Sequence, residues 1–120
     1  MAELAAHHGT GPIPLNQVAQ AQGISLDYLE QIVPDLRTAG LLKSKRGARG
    51  GYELGCPPDE VTVGDIFRAL DGDILPIQCV SKEGTKPCVR EQSICAARTV
   101  WQTVHKRVLE TLDNMVLTDL

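Results

Sequence analysis

The chain reads GISLDYLEQIVPDLRTAGLLKSKRGARGGY at residues 23–52, and this stretch decides the fold. Ser25 is a good helix N-cap, and the apolar residues after it recur at helical spacing until Gly40 ends the segment. Just upstream, a shorter helix is predicted to begin near Pro14 and to end at Gly23. Two helices joined by a tight glycine-containing turn are typical of a helix-turn-helix.

A β-hairpin is predicted directly after this unit. Residues 41–45 and 51–54 have the character of two short strands. The segment between them, Arg46-Gly-Ala-Arg-Gly50, is a glycine-rich turn that carries two arginines. A helix-turn-helix followed by such a hairpin predicts a mainly α winged helix-turn-helix fold, with the hairpin as its wing.

Further helices are predicted on either side of this unit. Thr62 and Asp65 form a capping-box pattern ahead of a helix that Gly72 ends, and residues 1–8 also favour a helix. From about Ala96, apolar residues step by three or four, which predicts a long helix with one apolar stripe. The predicted organisation is a DNA-binding winged domain at 1–73, a cysteine-bearing sensor loop at 74–95, and a dimerisation helix with its tail at 96–120.

Charge and length limit the classes of function. The net charge of the 120 residues is −3, which argues against indiscriminate binding to nucleic acid. A local cationic cluster nevertheless fits a DNA footprint, since Lys43, Lys45, Arg46 and Arg49 have no acid among them. Without an apolar run of membrane-spanning length or a leader peptide, we expect a cytoplasmic protein. So short a chain builds a modest core, which favours a homodimer.

Polar side chains on the second helix of the helix-turn-helix are the candidates for reading base edges in the major groove. Because Pro34 removes a backbone donor, we expect a bend there and recognition by the N-terminal half of the helix. Wing cations would grip phosphate or enter the minor groove, although a solvated helix face and hairpin are the bland alternative. The predicted DNA-binding residues are Ser25, Asp27, Tyr28, Glu30, Gln31, Lys45, Arg46 and Arg49.

Three cysteines, Cys79, Cys88 and Cys95, lie ahead of the last helix with eight and six residues between them. Such clustered thiolates hold a soft metal centre or perform redox chemistry, and the spacing alone does not distinguish between these two uses. Structural zinc usually requires cysteine pairs two to four apart, which are absent; a thiol switch remains an alternative. Cys56 is interpreted as a packing residue. Without a Cys-x-x-Cys motif or a second catalytic group, we expect no enzymatic activity.

Taken together, these segments resemble the Rrf-type family of bacterial winged-helix regulators, which includes IscR, NsrR, RirA and CymR. The resemblance covers nearly the whole chain and implies a dimeric regulator, expected to be a repressor, on a palindromic DNA operator. Members commonly begin with a longer first helix, so we expect this chain to start inside it. The matching segments are Gly23-Ile-Ser25, Tyr28-Leu-Glu-Gln-Ile32, Leu36-Arg37, Ala39-Gly-Leu41, Lys45-Arg-Gly47, Gly50-Gly-Tyr52, Val61-Thr-Val-Gly-Asp-Ile66 and the tail from Thr111.

The resemblance also implies a cofactor. Cluster-binding members place three cysteines in a loop ahead of the dimer helix, as Cys79, Cys88 and Cys95 are placed, although the spacing here is wider than in IscR and NsrR. An iron-sulfur cluster is therefore expected, 2Fe-2S rather than 4Fe-4S. Arg98 stands where IscR-type members have a histidine ligand, and a guanidinium is a poor ligand. The alternative is a cofactor-free regulator like CymR, controlled by a thiol switch or by a partner enzyme of sulfur metabolism. Candidates for a fourth ligand are His7, His8 and His105.

Overall fold

The core is an apolar cluster to which nearly every element of the winged domain contributes. The computed structural model of the chain describes residues 1–72 and 95–120. Val61 is the most completely buried of the larger side chains, with 1% of its surface exposed, and Leu117 near the C-terminus is buried against the same cluster. The other buried apolar residues are Leu4, Ile13, Val18, Ala19, Leu29, Val33, Leu36, Leu41, Leu42 and Leu54.

The described elements follow the predicted order and confirm the fold class. The helices are α1 (Ala2–Ala6), α2 (Leu15–Gln22), α3 (Leu26–Thr38), α4 (Val63–Asp71) and α5 (Ala96–Asp113), and the strands are β1 (Leu42–Lys45) and β2 (Gly51–Leu54). A 3₁₀ turn at Leu117–Asp119 follows α5. Within residues 1–72 and 95–120, no helix is both long enough and apolar enough to cross a bilayer.

The turn between α2 and α3 is set by glycine and serine. Gly23 adopts a left-handed conformation with φ of +63°, which favours a residue without Cβ. Ser25 then caps α3, because its Oγ accepts a hydrogen bond of 3.1 Å from the Tyr28 amide. Leu29, Val33 and Leu36 bury one face of α3 against the core. The two helices of the helix-turn-helix are therefore held by packing as well as by the turn.

One boundary differs from the predictions. α1 ends at Ala6 rather than at residue 8, since His7 lies at its C-cap and its Nδ1 donates to the Glu3 carbonyl at 3.0 Å. α3 contains Pro34 within its range of Leu26–Thr38, and Val33 and Leu36 beside this proline are buried. The bend expected at Pro34, where one backbone donor is missing, stays a prediction.

The wing is an antiparallel hairpin in which Leu42 pairs with Leu54 and Lys45 pairs with Gly51. Ile13 extends this sheet by one residue, exchanging backbone hydrogen bonds of 2.9 and 2.8 Å with Tyr52. A Cβ at Gly51 would overlap the Ile13 backbone, so this close approach requires glycine. The wing is thus attached to the segment that precedes α2.

Candidate DNA-binding surface and cysteine site

The residues of α3 that are predicted to contact base edges lie together on its exposed face. Asp27, Tyr28, Glu30 and Gln31 are all exposed, and 53% of the Tyr28 surface is accessible. Ser25 is exposed as well, but its Oγ is already occupied in capping the helix. The N-terminal half of α3 therefore presents a hydroxyl, a phenol, an amide and two carboxylates to solvent.

The cations of the wing differ in whether an acidic side chain neutralises them. The Lys45 Nζ lies 3.1 Å from the Glu53 Oε2, so part of its charge is compensated within the hairpin. Arg46 and Arg49 are exposed at the tip, where Gly47 has φ of +119°. Within the described parts of the chain, neither arginine has an ion pair. The tip arginines are consequently the more available anion-binding groups.

A cleft of about 630 Å³ joins the C-terminal half of α3 to the wing. It brings the exposed cations Arg37 and Lys43 beside Lys45. Arg37 was not among the predicted contacts, because its position one helical turn beyond Pro34 had been assigned to the non-reading half. The cleft is lined by Pro34, Arg37, Thr38, Leu42, Lys43, Ser44, Lys45 and Glu53.

One half-buried cysteine of the predicted sensor lies within the described residues. Cys95 is the N-cap residue of α5, and its side chain makes no capping hydrogen bond. Within the described residues, Cys95 forms no disulfide. Cys79 and Cys88 lie outside the described residues. Within the described part, no group of three or more histidine, cysteine or acidic residues could hold a metal ion. The proposed site needs Cys79 and Cys88, so this finding does not test it.

The candidate fourth ligands have different surroundings. Arg98 is exposed in the first turn of α5, and its amide donates to the Cys95 carbonyl at 3.0 Å. His7 is engaged with Glu3, while His8 is exposed. His105 is half-buried on α5, and its Nε2 has no hydrogen-bond partner among the described residues. Among the described residues, no hydrogen bond joins any of the three histidines to Cys95.

Apolar side chains form an exposed stripe along α5. Val100, Trp101, Val104 and Val108 have 59%, 36%, 39% and 38% of their surfaces accessible. Beside them runs a groove of about 390 Å³ lined by Thr103, Val104, Arg107, Val108, Thr111 and Leu112. No residue of α5 is buried. A long helix with an apolar stripe in water is typical of a protein interface.

Cys56, the fourth cysteine, lies after the wing. Its Sγ is 3.9 Å from the Gly40 carbonyl oxygen, and the side chain packs half-buried at the edge of the core. The interpretation of Cys56 as a packing residue agrees with these contacts.

Comparison with known proteins identifies relatives along the full length of the chain. The family model described as "Rrf2: Iron-dependent Transcriptional regulator" matches residues 1–120. The HTH-type transcriptional regulator CymR of Bacillus subtilis (strain 168) is 46% identical over 120 residues, which are 100% of this chain and 80% of CymR. The HTH-type transcriptional regulator IscR of Aliivibrio salmonicida is 41% identical over 120 residues, covering 100% of this chain and 69% of that protein.

Solved structures agree with this assignment. The structure of CymR (YrzC), the global cysteine regulator of B. subtilis, has a TM-score of 0.82 at 45% identity and covers 98% of this chain and 84% of that one. IscR of T. potens has a TM-score of 0.79 at 40% identity, with coverage of 98% and 74%. These relatives are regulators, not enzymes. The predicted family is confirmed: the chain belongs to the Rrf2 family of transcriptional regulators.

Proposed function

We propose that this regulator binds a palindromic DNA operator as a homodimer, acts as a repressor, and has its affinity controlled by an iron-sulfur cluster on Cys79, Cys88 and Cys95. The observation that carries the proposal is the position of Cys95. It begins the long helix α5, and the other end of α5 packs against the winged domain. Through α5, a change at the thiols would shift the DNA-binding surface.

The DNA-binding part of the proposal is supported by charge and shape. The exposed polar face of α3 has the dimensions to enter a major groove, and the tip arginines Arg46 and Arg49 would contact the flanking phosphates or minor groove. Glu30 and Asp27 repel phosphate, so they are assigned to base edges, where a carboxylate accepts from the cytosine amino group. Arg37, Lys43 and Lys45 line the cleft beside the wing, and we assign them to contacts with the DNA backbone.

Homodimer formation is supported by the exposed stripe on α5. Burying Val100, Val104 and Val108 against a second copy would remove apolar surface from water along one face of the helix. The two winged domains of a dimer, which we call its reading heads, match the two halves of a palindrome only at a fixed half-site spacing. A shift of α5 would alter that spacing and hence the affinity for the operator.

The cluster part is supported by the chemistry of the donor set. Thiolates are soft, strongly donating ligands, and Cys95 offers a sulfur that no helix-capping bond occupies. When bound, a cluster would supply a redox-sensitive centre at the start of α5.

The second candidate is a cofactor-free regulator whose cysteines form a thiol switch, or whose partner is an enzyme of sulfur metabolism. The observation that favours it is the similarity to CymR, at 46% identity over the whole chain. In this case the free thiol of Cys95 would itself change oxidation state. Both candidates use the same DNA-binding surface and the same α5 interface.

Anaerobic purification with iron and sulfide analysis separates the two candidates. The expected result is a coloured protein containing both elements, whose operator affinity changes when Cys88→Ala removes a ligand. Cys56→Ala is the matched control, because this cysteine packs beside Gly40 and is not among the proposed ligands. A colourless, iron-free protein whose DNA affinity ignores Cys88→Ala would refute the cluster and, if oxidants alter its affinity, favour the thiol switch.

A further inference from the structure

An ionic contact joins the winged domain to the C-terminal end of α5. The Nη2 of Arg68, on α4, donates to the Oδ1 of Asp113 at 2.7 Å and to the Oδ1 of Asp65 at 3.1 Å. Asp113 is the last residue of α5, and Asp65 lies in the first turn of α4. One guanidinium therefore holds two carboxylates that belong to different helices.

The contact is continuous with the cap of α4. The Oδ2 of Asp65 accepts from the Thr62 amide at 3.1 Å and from its hydroxyl at 2.8 Å. The Thr62 Oγ1 in turn accepts from the Asp65 amide at 3.0 Å, completing the capping box. Asp65 thus uses one oxygen to cap the helix and the other to orient Arg68, so that the guanidinium is held in a defined direction.

Backbone pairing brings the two segments together at the same place. The Val63 amide donates to the Met115 carbonyl at 2.8 Å, and the Leu117 amide donates to the Val61 carbonyl at 3.0 Å. Gly64 allows the close approach, because a Cβ at this position would overlap the Oδ1 of Asp113. The C-terminal end of α5 is therefore attached to the winged domain by a short joint, which consists of these backbone hydrogen bonds and the contact between Arg68 and Asp113.

Asp113 is electrostatically unfavourable for α5 alone. The C-terminal end of a helix carries partial negative charge, which repels a carboxylate in the last turn. Arg68 compensates this repulsion, and in the folded protein its pKa is raised by hydrogen bonding to Asp113 and then to Asp65. The acid at position 113 is accounted for by the contact between the helices rather than by helix formation.

The direction of α5 has a large effect on the position of a distant reading head. An 18-residue helix is about 27 Å long, so a rotation of about 10° at one end moves the other by about 5 Å, which exceeds one base-pair step. Since none of its residues is buried, α5 has few other contacts to restrain it within the described chain.

We propose that Arg68 is a positioning residue for operator binding, which joins Asp65 to Asp113 and thereby fixes the angle between α5 and the winged domain. This inference rests on the proposed function, because it assumes an α5-mediated dimer on a palindrome. Arg68 sets which half-site spacing the dimer accepts without touching DNA. Its loss would leave each reading head intact and would relax the distance between the heads.

The test compares Asp113→Asn with the matched control Glu110→Gln. Both changes convert an acid to its amide on α5, but the ion pairs of Glu110, to Lys106 and Arg107, stay within the helix. The full chain, purified anaerobically, is used to select duplexes from random DNA, and the enriched palindrome is then resynthesised with half-sites one base pair closer and farther apart. Sedimentation confirms that each variant remains dimeric.

We expect wild type and Glu110→Gln to prefer one spacing, and Asp113→Asn to lose about two- to fivefold of that preference, as suits a solvent-exposed ion pair. Affinity for a single half-site should not change. In DNA-free Asp113→Asn, the amides of Val63 and Leu117 should exchange hydrogen faster than in the control. Arg68→Lys should relax the spacing in the same direction, because an ammonium lacks the guanidinium fork.

The outcomes distinguish this inference from the function on which it rests. A wild-type protein that enriches no palindrome would refute the proposed function. A wild-type protein with a clear spacing preference, retained in full by both Asp113→Asn and Arg68→Lys, would overturn the positioning role of Arg68 and leave the proposed function standing.

Discussion

Lys45 and Glu53 form an ion pair diagonally across the wing, with 3.1 Å between Nζ and Oε2. Glu53 lies directly opposite Lys43 in the hairpin, so its carboxylate faces both strand lysines. The Glu53 carboxylate would therefore compete with DNA phosphates for the lysines of the wing. Its two tip arginines have no such competitor among the described residues.

Removing that competitor should strengthen DNA binding. We expect Glu53→Gln to raise affinity for non-specific DNA and to steepen the slope of log affinity against log salt by about 0.9, because Lys45 would neutralise one more phosphate. Fluorescence anisotropy over a salt series measures both quantities. Glu60→Gln, which removes an exposed acid outside the hairpin, is the control. Equal slopes for the two variants would contradict the assigned competition.

The tip arginine should matter more than the strand lysine. Arg46→Ala should weaken operator binding and flatten the salt dependence by about 0.9 for the lost phosphate contact, whereas Lys45→Ala should have a smaller effect. The same salt series compares the two variants. An unchanged slope in Arg46→Ala would refute the DNA contact assigned to the wing tip.

Ser25 should affect stability as well as recognition. Ser25→Ala removes the cap on the Tyr28 amide and should lower the free energy of unfolding by about 1 kcal/mol. Ser25→Asp keeps an acceptor and should retain stability, while adding a charge that opposes phosphate. Urea denaturation measures the first effect, with Ser44→Ala, on an exposed strand position, as its control. Anisotropy measures the second effect. If Ser25→Ala unfolds at the wild-type urea concentration, the capping role is wrong.

The joint between α4 and α5 should weaken in acid. Burial acts to raise the pKa of Asp65, but hydrogen bonds from Thr62 and Arg68 outweigh it, and the net pKa lies below the ordinary 3.8. A carboxyl whose pKa is lowered on folding adds stability above its unfolded pKa, and this stability is lost as pH falls through the folded value. We therefore expect Asp65→Asn to be less stable than wild type at neutral pH, with the difference shrinking as pH falls below about 3.8. A difference that stays constant from pH 7 to pH 3 would contradict this assignment.

The stripe on α5 should be required for the dimer. Val104→Glu places a carboxylate in the middle of the apolar stripe and should shift the protein towards monomer in sedimentation velocity runs. Lys106→Glu, an equally drastic change at an exposed position off the stripe, should leave the dimer intact. Two variants with the same sedimentation coefficient as wild type would indicate that another surface forms the interface.

Local patterns in the sequence predicted local structure well. The Ser25 cap, the Thr62–Asp65 capping box and the hairpin each depend on residues close together in the chain, and all three are found. Helix propensity extended α1 beyond Ala6, where His7 instead bonds back to Glu3.

Contacts between distant residues could not be predicted from those patterns. The pairing of Lys45 with Glu53 depends on strand register, and that of Arg68 with Asp113 joins residues 45 positions apart. The same holds for the bridge between Ile13 and Tyr52. The cysteine ligands and the domain boundaries at 74–95 stay predictions, because they lie at or beyond the edge of the described residues.

The close approach of Gly64 to Asp113 has a consequence for how sequences of this kind can change over time. A side chain at position 64 would collide with the acid unless Asp113 turned away from Arg68, position 113 became smaller or the end of α5 moved. Position 64 is then not free to vary while Asp113 keeps its contact with Arg68, although the two positions are far apart in the chain. Alignments of related regulators should accordingly show the two positions varying together, with glycine at 64 wherever an acid is kept at 113.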